Sequence, residues 1–179
     1  MEGKQVALIR GINVGQAKRV SMADLRRVIE DIGCHEVRTL LNSGNVVFVG
    51  PDMDQESTAV RIEESLSSRL GVSARVIVLT AAELAVIVHD NSLVEIADNL
   101  SRLLVAFLRN PADRIRLQPL EEQDWTPEVL SISEKAAYLW CPDGVQVSRL
   151  AKAIAHILGE ATTTRNWATI LKLYDLTKI

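Results

Sequence analysis

The sequence is poor in cysteines, aromatic residues and excess charge, and each shortage argues against a class of protein. Cys34 and Cys141 are the only cysteines, so at most one disulfide could form within the chain. Aromatic residues make up 4% of the chain, few for a protein that stacks bases on exposed rings. The formal net charge is -3, whereas a protein that wraps nucleic acid needs a basic surface. Nucleic acid is therefore not the expected partner.

Long apolar runs are also missing. No run approaches the roughly 20 residues that span a bilayer. The first residues, Met1–Lys4, lead into a strand-like segment without the pattern of a signal peptide. Two lone cysteines without such a signal fit a reducing cytosol, where they are buried as small apolar side chains. We therefore expect a cytoplasmic protein that does not associate with membranes.

The usual catalytic and metal-binding signatures do not occur. His35, His89 and His156 are far apart and lack both HExxH and paired Cys/His spacing. No GxSxG elbow is present. The sequence therefore predicts no metal site and no cofactor. It identifies no catalytic residue and does not decide whether the protein is an enzyme.

What the sequence does contain is a regular order of strands and helices. In the first half, strands are predicted at 5–10, 37–41, 45–49 and 74–79. The helix between the first two strands begins after Ser21 and ends at Gly33, and a second helix covers 55–70. Asn42–Asn45 between the middle strands is a hairpin signal, because Asn and Gly accept positive φ at low cost. The order is βαββαβ.

The second half repeats this order after a connector. Thr80 and Glu83 form a capping box that opens a helix, and residues 90–99 follow as a connector with room for another helical turn. Strands are then predicted at 103–108, 129–133, 136–140 and 161–164. Helices are predicted after Asn110, cut short by Pro119, after the N-cap Ser148, and at 167–174.

The fold class expected from this order is α+β, with two successive ferredoxin-like βαββαβ units and a C-terminal helix. The first unit is assigned to residues 1–80, a helical connector to 81–100, and the second unit with the last helix to 101–179. No long flexible linker separates them, so we expect both halves of the 179-residue chain to pack as one compact body.

A candidate ligand site follows from the strand directions. In a βαββαβ unit the first two strands are parallel and the third lies between them, so strand one ends at the edge that carries the hairpin. This places Arg10 and Asn13 near Ser43 and Asn45, beside glycines that expose backbone N–H groups. A guanidinium and amides favour phosphate or carboxylate. The alternative is that the glycines only make turns and the asparagines only cap them.

A second polar run, Thr162–Trp167, precedes the last helix. Arg165 is a candidate anion clamp at the helix N-terminus, together with Asn166. The alternative is that Thr164 or Asn166 is simply the N-cap. Trp167 is expected to be a core anchor. Arg165 could join the Arg10 cluster only if the two sheets meet suitably.

Three segments resemble one known bacterial family, the domain-of-unknown-function 1697 family. They are LIRGINVGQAKRVSMADLR (Leu8–Arg26), VRTLLNSGNVVF (Val37–Phe48) and ATTTRNWATILKL (Ala161–Leu173). The sequence departs from the family pattern at Gln16, Ser21 and Asn42, while all six candidate site residues match. The resemblance implies a cytosolic α+β protein with ferredoxin-like substructure, and it implies no particular reaction.

Three functions are consistent with the sequence. The favoured one is binding of a small anionic ligand, such as a nucleotide or phosphorylated metabolite, at the Arg10/Ser43 edge. The second is a non-catalytic protein–protein interaction module that uses an apolar sheet face. The third is single-stranded RNA binding on the sheet face, for which the strands we call central in the first unit offer only Phe48. The oligomeric state is left open.

Overall fold

The computed structural model describes residues 3–16 and 18–179, which form two compact units. The first unit runs up to Ala85 and also contains Leu173–Ile179, and the second spans Val86–Lys172. Met1, Glu2 and Ala17, which belong to the predicted first unit, lie outside the described residues. None of the helices in residues 3–16 and 18–179 has the length and hydrophobicity of a membrane span.

The first unit has the predicted βαββαβ order. Its elements are β1 (Lys4–Arg10), α1 (Met22–Asp31), β2 (His35–Leu40), β3 (Asn45–Val49), α2 (Gln55–Leu70) and β4 (Arg75–Thr80). The strands form one sheet in the order β2-β3-β1-β4, and every neighbouring pair is antiparallel. β1 and β2 are therefore parallel with β3 between them, which confirms the predicted strand directions.

The second unit repeats this topology. Its elements are β5 (Leu103–Leu108), α4 (Arg114–Glu121), β6 (Val129–Ile132), β7 (Ala136–Trp140), α5 (Arg149–Leu158) and β8 (Thr162–Asn166). The sheet order is β6-β7-β5-β8, again antiparallel throughout. Two further helices, α3 (Ala81–His89) and α6 (Trp167–Thr177), each contain residues of both units. The predicted fold class is confirmed.

Local capping chemistry explains where the helices begin and end. Ser21 accepts a hydrogen bond from the Asp24 N–H at the start of α1, and Ser148 accepts one from the Ala151 N–H at the start of α5. Thr80 and Glu83 bond to each other's backbone N–H groups, which is the predicted capping box of α3. Gly71 ends α2 in the left-handed conformation at φ 63°.

The core of the first unit lies between one sheet face and the two helices. Alternate residues of β1, Ala7 and Ile9, pack with Val46 and Phe48 of β3 against the apolar faces of α1 and α2. The other set of alternate residues, including Val6 and Leu8, is buried as well. Both faces of β1 are thus withdrawn from water over Val6–Ile9.

One sequence prediction about local structure is wrong. Pro119 does not interrupt its helix, because α4 continues through it to Glu121. The proline removes only the bond to the Ile115 carbonyl, and that turn faces water, since the Ile115 side chain is 63% exposed. The connector contains turns at 90–102. In one of them the Ala97 N–H donates to the Leu93 carbonyl at 3.2 Å, which is the i→i+4 bond of a helical turn.

The hairpin between β2 and β3 also differs in detail from the prediction. Positive φ values fall on Leu41 (59°) and Gly44 (80°), and Asn42 does not have one. The two turn positions with a left-handed backbone are therefore a glycine and, unexpectedly, a leucine. Gly44 adopts this conformation without strain, because it has no side chain.

Gly44 should not tolerate a side chain. A Cβ built there would lie 2.6 Å from the Ile9 carbonyl oxygen and 2.9 Å from the Ile9 Cβ. We expect Gly44→Ala to lower the free energy of unfolding by about 2–4 kcal/mol, since it adds a clash to an unfavourable φ. Urea unfolding measures this.

Gly15→Ala is the matched control. Gly15 also has positive φ, 55°, but a Cβ there meets nothing within 4 Å, so the loss should be only about 1 kcal/mol. Equal losses in the two variants would contradict the close packing of the hairpin on β1.

Candidate functional site

The end of β1 and the β2–β3 hairpin meet at one edge of the first sheet, as the strand order predicts. Leu8 pairs with Asn45 in the antiparallel register of β1 and β3. One residue further along, the Ile9 N–H donates to the Gly44 carbonyl at 2.8 Å. The loop that follows Arg10 therefore starts directly beside the hairpin turn.

Asn13 fastens this loop to the hairpin with its side chain. Its Nδ2 donates to the Val20 carbonyl at 2.8 Å and to the Asn42 carbonyl at 2.9 Å. Its Oδ1 accepts from the Val20 N–H at 2.7 Å, and its backbone has a left-handed φ of 53°. Both amide hydrogens are thus used within the protein. The geometry gives Asn13 the role of positioning the loop.

Asn45 and Ser43 hold the hairpin itself together. The Asn45 side chain is completely buried, and its Nδ2 donates to the Leu40 carbonyl at 3.1 Å and to the Ser43 Oγ at 2.8 Å. Ser43 is half-buried. Asn45 therefore cannot touch a ligand in this arrangement, while the Ser43 hydroxyl lies nearer the surface.

Arginine side chains supply the charge at this edge. Arg10 is exposed and pairs across the sheet with exposed Arg75 of β4. Ile9 and Val76 face the helices. Because successive side chains of a strand alternate between its faces, Arg10 and Arg75 both lie on the face of the sheet away from the helices. Arg19 also belongs here, because its Nη1 donates to the Asn13 carbonyl at 3.0 Å.

Sequence reasoning missed Arg75 and Arg19 as members of this group. Arg75 stands at the start of a strand whose pairing partner was not assigned, so only the register of β1 and β4 brings it opposite Arg10. The antiparallel strand order could have identified it. Arg19 left no such signal, because its position depends on how the loop folds back on Asn13.

In the second unit, Arg165 and Asn166 carry out structural tasks at the end of β8. Arg165 Nη1 donates to the Thr163 Oγ1 at 2.8 Å and to the Thr164 carbonyl at 3.0 Å. Desolvation lowers the pKa of Arg165 to about 10, which leaves it charged at neutral pH. Asn166 accepts from the Thr169 N–H at 2.9 Å and so caps α6, and Trp167 is buried as expected.

The six candidate residues therefore fall into two groups. Arg10, Asn13, Ser43 and Asn45 lie together at the hairpin edge of the first unit, and Arg165 and Asn166 are neighbours on β8 of the second. In the second unit, the edge that corresponds to the hairpin edge carries Arg109 and Lys135. There the Leu108 N–H donates to the Lys135 carbonyl at 3.3 Å.

A cleft in the second unit was not predicted. A cavity of about 400 Å³ is lined by the 126–128 segment, the 141–144 turn and the start of α5. Glu128 accepts from the Ser148 hydroxyl and from the Arg149 N–H, the latter at 2.9 Å. The Arg149 guanidinium lies 5.7 Å from the Trp125 ring centre. Glu128 thus acts as a cap of α5 from a distant segment, which no sequence spacing reveals.

Neither cysteine has the properties of a nucleophile. Cys34 and Cys141 are both buried and both free thiols. Burial raises the pKa of each thiol from 9.0 to about 11. The thiolate fraction at neutral pH is therefore very small. Across residues 3–16 and 18–179, no group of three His, Cys, Asp or Glu side chains could hold a metal ion.

Comparisons with known proteins give a family and a fold. The model of a family described as "Protein of unknown function (DUF1697)" matches residues 3–138. Among solved structures, the conserved bacterial protein SP0830 from Streptococcus pneumoniae is similar, with a TM-score of 0.77 and 20% sequence identity. The alignment covers 97% of this chain and 98% of that one. No curated protein matches.

Replacing Asn13 should destabilise the loop between β1 and α1. The variant Asn13→Gly keeps the left-handed conformation but loses three hydrogen bonds. We expect it to lower the free energy of unfolding by about 2 kcal/mol. Amide hydrogen exchange at Val20 should accelerate. Asn42→Ala is the control, because Asn42 takes part through its backbone carbonyl and should change stability by no more than about 0.5 kcal/mol. Equal effects would refute the fastening role.

The buried thiols should make stability depend on alkaline pH. The unfolded-state pKa of 9.0 rises to about 11 on folding, so the unfolded chain releases protons first. The contribution of the two thiols to the free energy of unfolding is complete below pH 9 and is lost as the pH rises toward 11. Urea midpoints of the wild type and of a Cys34→Ala/Cys141→Ala variant measure this, and the variant should lose less stability over that range.

A thiol reagent gives an independent check. In the native protein at pH 8 both cysteines should react slowly, and both should react quickly in denaturant. Rapid reaction of either cysteine in the folded protein would disprove this burial.

Proposed function

We propose that this chain, which belongs to the DUF1697 family of proteins of unknown function, binds a small anionic ligand at the hairpin edge of its first unit. The ligand carries a phosphate- or carboxylate-type group. Arg10 is the main contact, and Arg75 and Arg19 add positive charge. The observation that carries the proposal is the cross-strand pair of Arg10 and Arg75.

Two arginines opposite each other concentrate positive charge at the end of β1. Arg10 and Arg75 are both exposed and lie on the same face at the strand ends. A phosphate or carboxylate between them would be held by charge-assisted bonds to both guanidinium groups. This gives a reason for placing the ligand here.

Asn13 and Asn45 support the site without touching the ligand. The side-chain amide of Asn13 donates to Val20 and Asn42, and that of buried Asn45 donates to Leu40 and Ser43. They fix the loop and the turn on either side of Arg10. A rigid surrounding lowers the entropy that binding costs. The Ser43 hydroxyl is the remaining polar group expected to reach the ligand.

Arg165 and Asn166 form a second candidate group in this proposal. Their bonds to Thr163, Thr164 and Thr169 are enough to explain them as parts of β8 and α6. The ligand is therefore assigned to Arg10 first. Variants of Arg165 decide whether the second unit contributes.

The two other functions have less support. The aromatic residues on strands, Phe48, Phe107, Tyr138 and Trp140, are buried, which leaves none of them for stacking on RNA bases. Alternate residues on both faces of β1 are also buried, so this strand offers no apolar face to a protein partner. Neither observation favours an RNA-binding or interaction module.

Removing either arginine of the cross-strand pair should weaken anion binding. We expect Arg10→Ala and Arg75→Ala to weaken the binding of pyrophosphate by about 10- to 100-fold, because each removes a charge-assisted bond. Isothermal titration calorimetry at low salt measures the affinity, which should fall as salt is raised. Arg61→Ala is the control, because Arg61 is an exposed residue of α2, on the helix side of the sheet.

Three results would reject the proposal. They are the absence of pyrophosphate binding to the wild type, an affinity unchanged in Arg10→Ala, and an equal loss in Arg61→Ala. Arg165→Ala should bind like the wild type, and a loss equal to that of Arg10→Ala would overturn the assignment to the first unit alone. Circular dichroism of each variant confirms that it is folded.

A further inference from the structure

We propose that the ligand of this site carries a ring or another flat apolar body on its anionic group, and that Leu41 and Val14 bind that body. The proposal rests on the proposed function, because it takes Arg10 as the contact for the anion. It adds the chemical class of the ligand.

Leu41 has a backbone conformation that is unfavourable for leucine and an apolar side chain that is exposed to water. Its φ is 59°, a left-handed conformation that costs a leucine roughly 1–2 kcal/mol relative to its usual backbone. Its side chain is 52% exposed, so packing returns little of that cost. Asparagine or glycine would suit the position better, and an asparagine stands next to it at Asn42. Such departures concentrate at functional sites.

Val14 presents a second exposed apolar side chain close by. It is 65% exposed and directly follows Asn13 in the loop. The Asn13 amide contacts the Asn42 carbonyl at 2.9 Å, and Asn42 directly follows Leu41. The hydrogen bond that fastens the loop thus brings the backbones carrying Val14 and Leu41 together. Both side chains are exposed, and the segments that carry them meet at this edge.

The charged and apolar groups are neighbours along the chain and across the sheet. Arg10 follows Ile9, whose N–H bonds to the Gly44 carbonyl of the same turn that contains Leu41. Arg19 is held on the Asn13 carbonyl. A ligand whose anionic group lies on Arg10 therefore has the loop and the turn as its neighbours. Small-molecule sites combine apolar walls with a few placed polar groups in this way.

A bare inorganic anion uses only the charged part of this surface. Inorganic phosphate would use the arginines and leave both apolar side chains in water. A phosphate monoester with an aromatic ring has the complementary shape and polarity, since its ring can cover Leu41 and Val14 while its charge stays on Arg10. The matched probes are methyl phosphate and phenyl phosphate, which have the same charge and differ in the ring.

The experiment compares these two probes by calorimetry in the wild type and three variants. The wild type should bind phenyl phosphate about tenfold more tightly than methyl phosphate, which is the expected gain from covering part of a leucine and a valine. Leu41→Asn should reduce this preference to about twofold and leave the affinity for methyl phosphate unchanged. Val14→Ser should act in the same direction. Ile115→Ser is the control, because Ile115 is an exposed apolar residue of α4, in the second unit.

Stability gives a second measurement that a merely structural role would not reproduce. Leu41→Asn should raise the urea midpoint, because asparagine accepts the left-handed conformation more readily. A variant that gains stability and loses ring preference identifies Leu41 as a ligand-binding residue. A variant that loses stability as well as binding of both probes would overturn the inference.

The remaining outcomes separate the two proposals. If methyl phosphate binds through Arg10 but phenyl phosphate gains nothing, the ring inference is wrong and the anion site stands. If neither phosphate binds to the wild type, the anion site is wrong and the ring inference fails with it. If Ile115→Ser loses the preference to the same extent, Leu41 has no specific part in it.

Discussion

The central position of β1, hydrogen-bonded on both sides, is the constraint on which the first unit depends. β3 and β4 both run antiparallel to it, so the end of β1 must meet the start of β3 and the start of β4. This single arrangement brings the hairpin turn and Arg75 to the two sides of Arg10. β5 has the same position in the second unit. Everything proposed about ligand binding rests on that one edge.

The fold could be predicted because its signals are local. Periodic apolar residues, N-caps such as Ser21 and Ser148, and the Thr80–Glu83 capping box all lie within a few residues of the structures they determine. The strand directions then followed from the βαββαβ order. Sequence reasoning was wrong at Pro119, where a lost hydrogen bond faces water and costs too little to end a short helix.

The candidate site could be predicted only in outline. The meeting of loop and hairpin followed from topology, but the roles of Asn13 and Asn45 depend on single hydrogen bonds to backbone carbonyls far along the chain. Arg75 required the register of β4. The left-handed φ of Leu41 contradicts the preference of leucine, so no propensity could indicate it. Glu128 capping α5 across 21 positions is likewise a tertiary event.

The two units differ in how the chain supplies them. The second is one continuous stretch, Val86–Lys172, whereas the first also needs Leu173–Ile179. A ribosome adds residues in order, so the stretch that builds the later unit is complete before the earlier unit has all of its parts. The candidate ligand edge lies in the unit that is finished last. The full set of contacts within the first unit therefore forms only after synthesis has passed through the entire second sheet.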